Sequence, residues 1–589
     1  MYLKELRIQN FRGLSDFSII FEKDMNVLIG ENNTGKSTII DAVKLLAERV
    51  NAGKLVKFVL SDIHNFNDTP SQKYDNINIT GKFLIEADEP NKSDIIKILK
   101  KIAIPINSDF SVIVNLIGRY NETTTEIDSE IHFLNATDED MGRDERLIRD
   151  LRDIAPCFIF PAIRDPNKIF SNKIWSSFIN EKDIEKAKYD EFRLELDSTY
   201  QKIFDGHASF EHVCLEIKAL STLLFCGNPI DIKIDPKPSD AYDVLKYQSQ
   251  LNLRLASSPK LPLNCYGDGT RNLTMFLIFK AYLNHQLSSE TSINFSTPII
   301  AIEEPEAHLH PSAIHTTWDL LNTFPGQKIV STHSGDIISR ISHGNIRRLS
   351  KNNSSVTCHS LSNLSLDIDE KRLINLHIRD TRGALYYAHC WILVEGDTEK
   401  IILSRCADVM GYELYKYSIQ IIPYGGGNPI SYIKLADCLG IPWIIVADGD
   451  EEGKRYCINA TKYVKNQRMP KINLPEYDIL KLDEEDIEVL MCMSGFGHIY
   501  YDEYHKKNVE YNAKYLNKTW EDICSESKDE TTIRSKVIEL TKARTKKVSK
   551  PMMADKVAEE ITKMGRGSIP DVFQEIIGTA VKFSGGNIQ

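Results

Sequence analysis

The chain has 589 residues, of which 42% are hydrophobic and 26% charged, so it is long enough for several domains and ordinary in composition for a globular protein. Its net charge of -11 does not indicate a protein that binds polyanions over its whole surface, and any nucleic-acid contact therefore needs a local basic patch. Lys542–Lys550 is the most basic stretch, and a solvated helix face is the alternative explanation for it.

Targeting and membrane signals are not visible in the sequence. It shows neither a signal peptide nor an apolar run of membrane-spanning length. The eleven cysteines form no Cys-x-x-Cys pair, and several lie in apolar stretches, which favours reduced thiols over disulfides or a zinc site. We therefore expect a cytoplasmic protein that does not enter a membrane.

The first part of the chain predicts strands followed by helices. Alternation of apolar and polar residues predicts strands near residues 3–11 and 17–21, and an apolar run predicts a third at Met25–Ile29. Helical spacing follows from Ile39 to Ala47. Mixed strands and loops are expected from about 75 to 165, a charged helical insertion from about 165 to 260, and strand–helix alternation from about 265 to 350.

A complete P-loop pattern, Gly-Glu-Asn-Asn-Thr-Gly-Lys-Ser at residues 30–37, lies between a predicted strand and a predicted helix. Its glycines let backbone N–H groups surround phosphates, and the helix N-terminus adds positive potential. Lys36 is expected to reach the β- and γ-phosphates of ATP, and the Ser37 hydroxyl to bind Mg²⁺. The residues assigned to nucleotide binding in this loop are Gly30, Asn32, Asn33, Gly35, Lys36, Ser37 and Thr38.

The second half of a nucleotide site is also present. The apolar strand Ile299–Ile302 ends in Glu303 and Glu304, one acid for the Mg²⁺ shell and one to polarise an attacking water. His333 follows a predicted strand, from which it can reach a γ-phosphate. The segment Gly267–Arg271 precedes a predicted helix at residues 272–279 and would form a second anion-binding helix end.

Two nearby histidines, His308 and His310, have no completing Cys or His set at zinc-ligand spacing, and structural or interfacial roles are expected for them.

Acidic clusters follow two apolar runs in the second half of the chain, Trp391–Val394 and Trp443–Val446. The carboxyl ends of parallel strands meet at one edge of a sheet, where carboxylates repel one another unless a cation lies between them. A divalent-metal site is therefore predicted. Its assigned carboxylates are Glu395, Glu399, Asp448, Asp450 and Glu488.

The organisation around these clusters is that of a second α/β region. A polar stretch, Ser350–Ser355, predicts a loop near a domain boundary. A further strand is predicted at Ser418–Ile422, between the two acidic runs, and the last hundred residues have mainly helical character.

The nucleotide-binding residues resemble those of ABC-type ATPases of the RecF/SMC group, for which Leu-Arg-Ile-Gln-Asn-Phe-Arg-Gly at residues 6–13 is also typical. The resemblance implies that Gly267 and Gly269 belong to a signature loop that contacts ATP held by a second head. It further implies that Glu304 is the catalytic base and His333 the switch histidine. Because the signature lacks Ser-Gly-Gly and Glu303 replaces the usual Asp, hydrolysis is expected to be slow, or ATP to act mainly as a regulator.

The acidic clusters resemble the Toprim fold of topoisomerases, primases and certain nucleases, in which a Glu and an Asp-x-Asp pair hold divalent ions beside the scissile phosphate. The whole chain therefore resembles the OLD family of nucleases. This resemblance implies an ATPase domain over 1–385, with helical dimerisation segments at about 165–260, and a Toprim domain over 386–589. The family also uses a lysine after the acids, for which Lys550 is assigned, with Lys547 and Lys556 as alternatives and a plain surface lysine as the competing explanation.

The resemblance implies an ATP-regulated DNA endonuclease or nickase that uses Mg²⁺, Mn²⁺ or Ca²⁺ and acts in bacterial defence against phage. It also implies a homo-oligomer, sometimes with a partner such as a helicase or reverse transcriptase. A water nucleophile is expected because no tyrosine is clearly placed to attack, although Tyr424 is the nearest candidate. The alternatives are an ATPase sensor or scaffold whose Toprim domain only binds nucleic acid, and a transporter ATPase.

Overall fold

A computed structural model describes most of the chain in segments. They are residues 1–47, 58–64, 75–89, 91–161, 266–288, 297–352, 355–362, 364, 366–381, 383–425, 428–449, 451–464, 479–481, 487–507, 518–525 and 549–586, with short pieces at 215, 218, 230–231, 254–255 and 535. The chain divides into two compact units, Met1–Cys358 and His359–Gln589.

The elements up to residue 360 alternate between strands and helices. In chain order they are β1 (Tyr2–Phe11), β2 (Leu14–Ile20), β3 (Met25–Gly30), α1 (Lys36–Ala47), β4 (Ile77–Ile85), α2 (Lys92–Leu99), β5 (Ile104–Ile106), β6 (Asp109–Asn121), β7 (Glu126–Leu134), β8 (Asp140–Gly142), α3 (Glu145–Ile154), β9 (Cys157–Phe160), β10 (Ile230–Asp231), β11 (Arg254–Leu255), α4 (Asp268–Ser288), β12 (Ile299–Glu303), α5 (Pro311–Asn322), β13 (Gln327–Ser331), α6 (Gly335–Ile338), β14 (Ile346–Asn352) and β15 (Ser355–Ser360).

Two sheets form the first unit. Seven strands make an antiparallel sheet in the order β2-β1-β4-β6-β7-β8, with β5 paired to β6. The alternation that predicted β1 follows its buried and exposed faces, and the buried Leu6 and Ile8 join a core with Ile39 and Val43 of α1. Burying the apolar face of α1 against this sheet fixes the helix that carries the P-loop lysine.

The second sheet is built around parallel strands in the order β15-β14-β3-β13-β12-β9. Because β3, β13 and β12 are parallel, their carboxyl ends lie at one edge, where the chain continues into the P-loop, His333 and Glu304 respectively. This arrangement confirms the α/β prediction for the first unit. The helix predicted at residues 272–279 lies within α4.

One prediction for this unit is wrong, and another lies mostly outside the described residues. The polar stretch predicted as a loop is mostly strand, because β14 continues to Asn352 and β15 begins at Ser355, each with buried apolar residues (Leu349 and Val356) that hold it to the sheet. Of the predicted helical insertion, only Leu215 and Lys218, both helical, and the antiparallel pair β10–β11 are described. The rest of that region, including the predicted dimerisation segments, lies outside the described residues.

The second unit contains a smaller sheet and many helices. Its elements are α7 (Ile368–Asp380), β16 (Cys390–Val394), α8 (Asp397–Val409), β17 (Ile419–Pro423), α9 (Pro429–Leu439), β18 (Trp443–Ala447), α10 (Glu451–Val464), β19 (Ile479–Lys481), α11 (Ile487–Met491), α12 (Gly497–Lys507), α13 (Trp520–Ser525), α14 (Lys550–Met564) and α15 (Asp571–Phe583).

Four parallel strands form this sheet in the order β17-β16-β18-β19, which confirms the strands predicted beside the acidic clusters. The C-terminal helices α14 and α15 pack against α8, and their buried apolar residues join one core with those of β16 and β18. Residues 550–583, which are distant in sequence, therefore pack against the sheet that carries the acids.

The second unit begins before the predicted boundary at residue 385. Helix α7 packs on α9, with Lys434 Nζ 3.5 Å from Glu370 Oε1 and a hydrogen bond between the Tyr432 hydroxyl and the imidazole of His377. These contacts explain why the compact unit includes α7.

No helix within the described segments has the length and apolar character needed to cross a membrane. The eight cysteines in those segments are all free thiols.

Candidate nucleotide and metal sites

The loop between β3 and α1 has the backbone conformation of a phosphate cradle. Gly35 has a φ of 90° and Asn33 one of 65°, both in the left-handed region. A Cβ atom at Gly30 would lie 2.6 Å from the carbonyl oxygen of Leu349 on β14, so only glycine allows this approach. Ser37 is exposed in the first turn of α1, where a helix N-terminus faces the loop. These features fit a triphosphate with its magnesium ion.

The Lys36 ammonium lies inside the loop. Its Nζ donates hydrogen bonds to the carbonyl oxygens of Gly30 at 2.8 Å and Glu31 at 2.7 Å. Burial lowers the pKa of Lys36 to about 8, while the negative charges of Glu304 and Glu31 oppose that shift. Lys36 is therefore held where phosphate oxygens would replace the carbonyls as acceptors.

Glu304 and His333 lie at the same sheet edge as Lys36. The backbone N–H of Glu304 donates to the carbonyl oxygen of Ser331 at 2.9 Å, and Glu304 has a φ of 43°. Burial lowers the pKa of His333, the charge of Lys36 lowers it further, and the charge of Glu304 raises it. The structure thus brings together three residues that the sequence assigned to one nucleotide site. Glu303 ends β12 beside Ser331 of β13.

Glu306 is a residue that sequence reasoning missed. Its Oε1 accepts hydrogen bonds from the Thr332 hydroxyl at 2.8 Å, the His333 N–H at 2.7 Å and the Ser334 N–H at 3.1 Å. Burial raises the pKa of Glu306, and these hydrogen bonds oppose that shift. The acid two positions after Glu304 was the available signal, but its spacing does not distinguish a buried acceptor from an exposed charge.

The segment assigned as a signature loop contacts the loop that follows Glu304. Helix α4 begins at Asp268, one residue after Gly267. A Cβ atom at Gly269 would lie 2.8 Å from the carbonyl oxygen of His308, and Asn272 Nδ2 donates to the carbonyl oxygen of Ala307 at 2.7 Å. A contact between this loop and ATP on a second head stays a prediction.

His310 has a structural role, as the sequence suggested. Its Nδ1 accepts the N–H of Ser312 at 3.3 Å and so caps helix α5.

The carboxyl edge of the second sheet carries Glu395 and Asp448. Glu395 directly follows β16, and Asp448 directly follows β18, the adjacent parallel strand. Burial raises the pKa of the Tyr424 hydroxyl, and the negative charges of Glu395 and Asp448 raise it further, so both acids are near enough to influence this group. Carboxylate oxygens are the ligands that Mg²⁺ prefers. Within the described part of the chain no group of three or more His, Cys, Asp or Glu side chains is placed to hold a metal ion, and Asp450 lies outside that part.

The structure gives Glu399 a local role. This side chain is buried, and its Oε2 accepts the N–H of Gly396 at 2.8 Å, which caps the first turn of α8. The cap accounts for one carboxylate oxygen, and metal binding by Glu399 stays a prediction.

Two other predicted site residues pair with each other. Lys550 Nζ lies 2.9 Å from Oε1 and 3.0 Å from Oε2 of Glu488, whose side chain is 3% exposed. Of the alternative lysines, Lys556 binds Glu503, and Lys547 lies outside the described residues with most of the basic stretch. The ion pair places Lys550 beside an acid, and a catalytic role for it stays a prediction.

Tyr424 is fully buried directly after β17. Its N–H donates to the carbonyl oxygen of Val394 at 2.9 Å, and its ring packs edge-on against Tyr456 with centroids 5.7 Å apart. Its hydroxyl has no hydrogen-bond partner among the residues that the structure describes. Burial of the hydroxyl and its raised pKa oppose a nucleophilic role for this tyrosine.

Comparison with known proteins gives two family matches in succession along the chain. Residues 1–384 match the family model described as "Protein of unknown function (DUF2813)", and residues 386–450 match the model described as "Overcoming lysogenization defect protein-like, TOPRIM domain". The chain is 24% identical to the uncharacterized protein YbjD of Escherichia coli strain K12, over 100% of both chains.

Two nucleases are also similar. The endonuclease GajA of Bacillus cereus strain HuB5-5 is 24% identical, over 92% of this chain and 93% of GajA. The Old nuclease of Escherichia phage P2 is 29% identical over 31% of this chain and 33% of the nuclease. The predicted family is confirmed: the chain belongs to the DUF2813 family and is an OLD-family protein, with an ATPase region followed by a Toprim domain.

Proposed function

We propose that this protein is a divalent-metal-dependent DNA endonuclease or nickase that ATP regulates, and that it serves in bacterial defence against phage. The observation that carries this proposal is the placement of Glu395 and Asp448 at adjacent strand ends of a parallel sheet. Acids that repel one another at such an edge are stabilised by a bound cation. The names of two relatives, an endonuclease and a nuclease, support the reaction class.

In this proposal Glu395 and Asp448 hold the divalent cation, with Asp450 as the predicted third ligand. A bound cation would offset the charge of the scissile phosphodiester and polarise its oxygens. Lys550, which forms an ion pair with Glu488, would offset negative charge on the DNA backbone.

The ATPase unit would act as the control element. The P-loop N–H groups and Lys36 would bind the triphosphate, Ser37 and Glu303 would hold its Mg²⁺, and Glu304 would accept a proton from the attacking water. A signature loop needs a facing P-loop, so the active form is proposed to be at least a homodimer. A helicase or reverse transcriptase would be an additional defence partner.

The second candidate function is an ATPase sensor or scaffold whose Toprim domain binds nucleic acid without cutting it. The first unit departs from the ABC pattern by having Glu303 in place of Asp and a signature segment without Ser-Gly-Gly. These differences favour ATP as a regulator, and they are compatible with either function. The paired acids at the sheet edge favour cutting, because a surface that only binds DNA gains nothing from repelling phosphates there.

Plasmid cleavage separates these functions. Supercoiled plasmid is incubated with the purified protein and Mg²⁺ or Mn²⁺, with and without ATP, and nicked or linear product is measured. We expect cutting by the wild type, its loss in Asp448→Ala, and an altered ATP response in Lys36→Ala. Glu413→Ala is the matched control, because it removes an exposed acid near the amino end of β17, at the opposite edge. Equal cutting by wild type and Asp448→Ala, or no cutting of any DNA, would reject the nuclease.

A further inference from the structure

The hydroxyl of Tyr424 is a buried polar group without a structural explanation among the described residues. Tyr424 is 0% exposed, and its hydroxyl makes no hydrogen bond within the described part of the chain. A buried, unsatisfied hydroxyl is unfavourable, and phenylalanine would fill the same space without that penalty. Packing alone therefore does not account for a tyrosine at this position.

The surroundings of the hydroxyl indicate what it serves. Backbone hydrogen bonds tie the residue to the end of β16, with the Tyr424 N–H bound to Val394 at 2.9 Å and the Gly425 N–H bound to the carbonyl oxygen of Glu395 at 3.0 Å. On its other side the ring packs against Tyr456 of α10, the helix that begins three residues after Asp448. The residue is thus held from two directions, by the strand end that leads into Glu395 and by the helix that follows Asp448.

We propose that Tyr424 is a positioning residue of the metal site, whose hydroxyl donates a hydrogen bond to the carboxylate of Glu395 or Asp448 when that carboxylate binds a divalent cation. A carboxylate only accepts hydrogen bonds, so a phenol beside it serves as the donor. Such a bond holds one carboxylate oxygen and turns the other toward the cation, as groups behind metal ligands commonly do. This inference rests on the metal site of the proposed function.

A change to phenylalanine has a distinctive expected result. Because the hydroxyl has no partner within the described residues, Tyr424→Phe should unfold at the same temperature as the wild type, or at a higher one, in the presence of EDTA. Its affinity for Mn²⁺ should nevertheless fall by about tenfold to a hundredfold, the usual effect of removing a group that orients a metal ligand. A tyrosine with a purely structural role would give the opposite pattern.

The experiment measures Mn²⁺ binding by isothermal titration calorimetry on the full-length protein without nucleotide, and counts only the binding that Asp448→Ala abolishes. Tyr456→Phe is the matched control, because its ring touches Tyr424 but its hydroxyl already donates to Glu452 at 2.8 Å. Weakened Mn²⁺ binding in Tyr424→Phe alone, with unchanged or higher thermal stability, supports the inference.

Two results would overturn it, and they differ in scope. If Tyr424→Phe binds Mn²⁺ as the wild type does, or loses affinity only together with thermal stability, the role assigned to Tyr424 is rejected while the metal site stands. If the wild type shows no Mn²⁺ binding that depends on Asp448, the metal site fails and the role of Tyr424 fails with it.

Discussion

Glu306 accepts the backbone N–H of His333 through a hydrogen bond of 2.7 Å, so an acid two residues after the proposed catalytic base holds the loop of the switch histidine. The same oxygen also binds Thr332 and Ser334, and this half-buried carboxylate therefore fixes three consecutive residues. Hydrogen bonds to a charged acceptor are stronger than neutral ones. The two loops that carry Glu304 and His333 are linked through this one side chain.

Replacing this acceptor should impair hydrolysis more than nucleotide binding. Glu306→Ala leaves the donors of the His333 loop without their acceptor, and each lost charge-assisted hydrogen bond is worth about 1.5–3 kcal/mol. We expect the kcat of ATP hydrolysis to fall by at least about tenfold, since ~1.4 kcal/mol corresponds to that factor, with a smaller change in ATP affinity. Glu306→Gln, which keeps an acceptor oxygen, is the control and should retain more activity. Wild-type hydrolysis by Glu306→Ala would refute the link.

The lowered pKa of Lys36 predicts a pH dependence of ATP affinity. Without nucleotide this pKa is about 8, and bound phosphates favour the ammonium form and raise it. The contribution of the ammonium is therefore complete below pH 8 and declines as the pH rises above 8, by up to about tenfold per pH unit. Titrations with a non-hydrolysable ATP analogue from pH 7 to pH 9.5 would measure the decline.

Proton uptake provides an independent check of Lys36. Calorimetry at pH 8.5 in two buffers of different ionisation enthalpy should detect a proton bound together with the analogue. Lys36→Ala should bind weakly at every pH and take up no such proton. A flat affinity profile for the wild type would contradict the lowered pKa.

Removing the ion pair between Lys550 and Glu488 should lower the stability of the fold, and this effect can be measured separately from catalysis. Lys550→Ala leaves the buried Glu488 without this cation and should lower the free energy of unfolding by about 1–2 kcal/mol, less than the ~3–5 kcal/mol of a fully buried pair because Lys550 is 39% exposed. Glu488→Gln with Lys550→Ala should restore part of that loss in urea unfolding. Recovery of plasmid cutting in the double variant would make the lysine structural, whereas cutting that stays low would assign a catalytic part to Lys550, to the predicted metal ligand Glu488, or to both.

Local patterns were sufficient to predict the strands and helices around the candidate sites that occupy short stretches of chain. The strand β3, the P-loop and α1 are contiguous, so periodicity and glycine spacing identify them together. The same holds for Glu395 and Asp448, each of which directly follows a buried strand. The roles predicted for the Gly267 segment and for Lys550 came from family resemblance, because residue spacing alone does not indicate them.

Contacts between distant segments could not be predicted in this way. Glu306 follows β12 whereas its hydrogen-bond partners follow β13, and the ion pair of Glu488 with Lys550 joins α11 to the start of α14, 62 residues later in the chain. Tyr424 drew attention only as a candidate nucleophile, because the sequence does not reveal that its hydroxyl is buried and has no hydrogen-bond partner within the described residues. Tertiary packing determines the contacts of Glu306, the pairing of Glu488 with Lys550 and the burial of Tyr424, and none of these produces a periodic pattern in the sequence.

Glu399 tests whether a residue that caps a helix also binds metal. Glu399→Gln keeps an oxygen that can accept the Gly396 N–H, so its unfolding temperature should match that of the wild type. Loss of the negative charge should still weaken Mn²⁺ binding, because carboxylates bind hard cations better than amides do. Glu399→Ala should lose the cap as well, at a cost of about 0.5–1 kcal/mol. Wild-type Mn²⁺ affinity in Glu399→Gln would leave Glu399 as a cap alone and restrict the site to the strand-end acids.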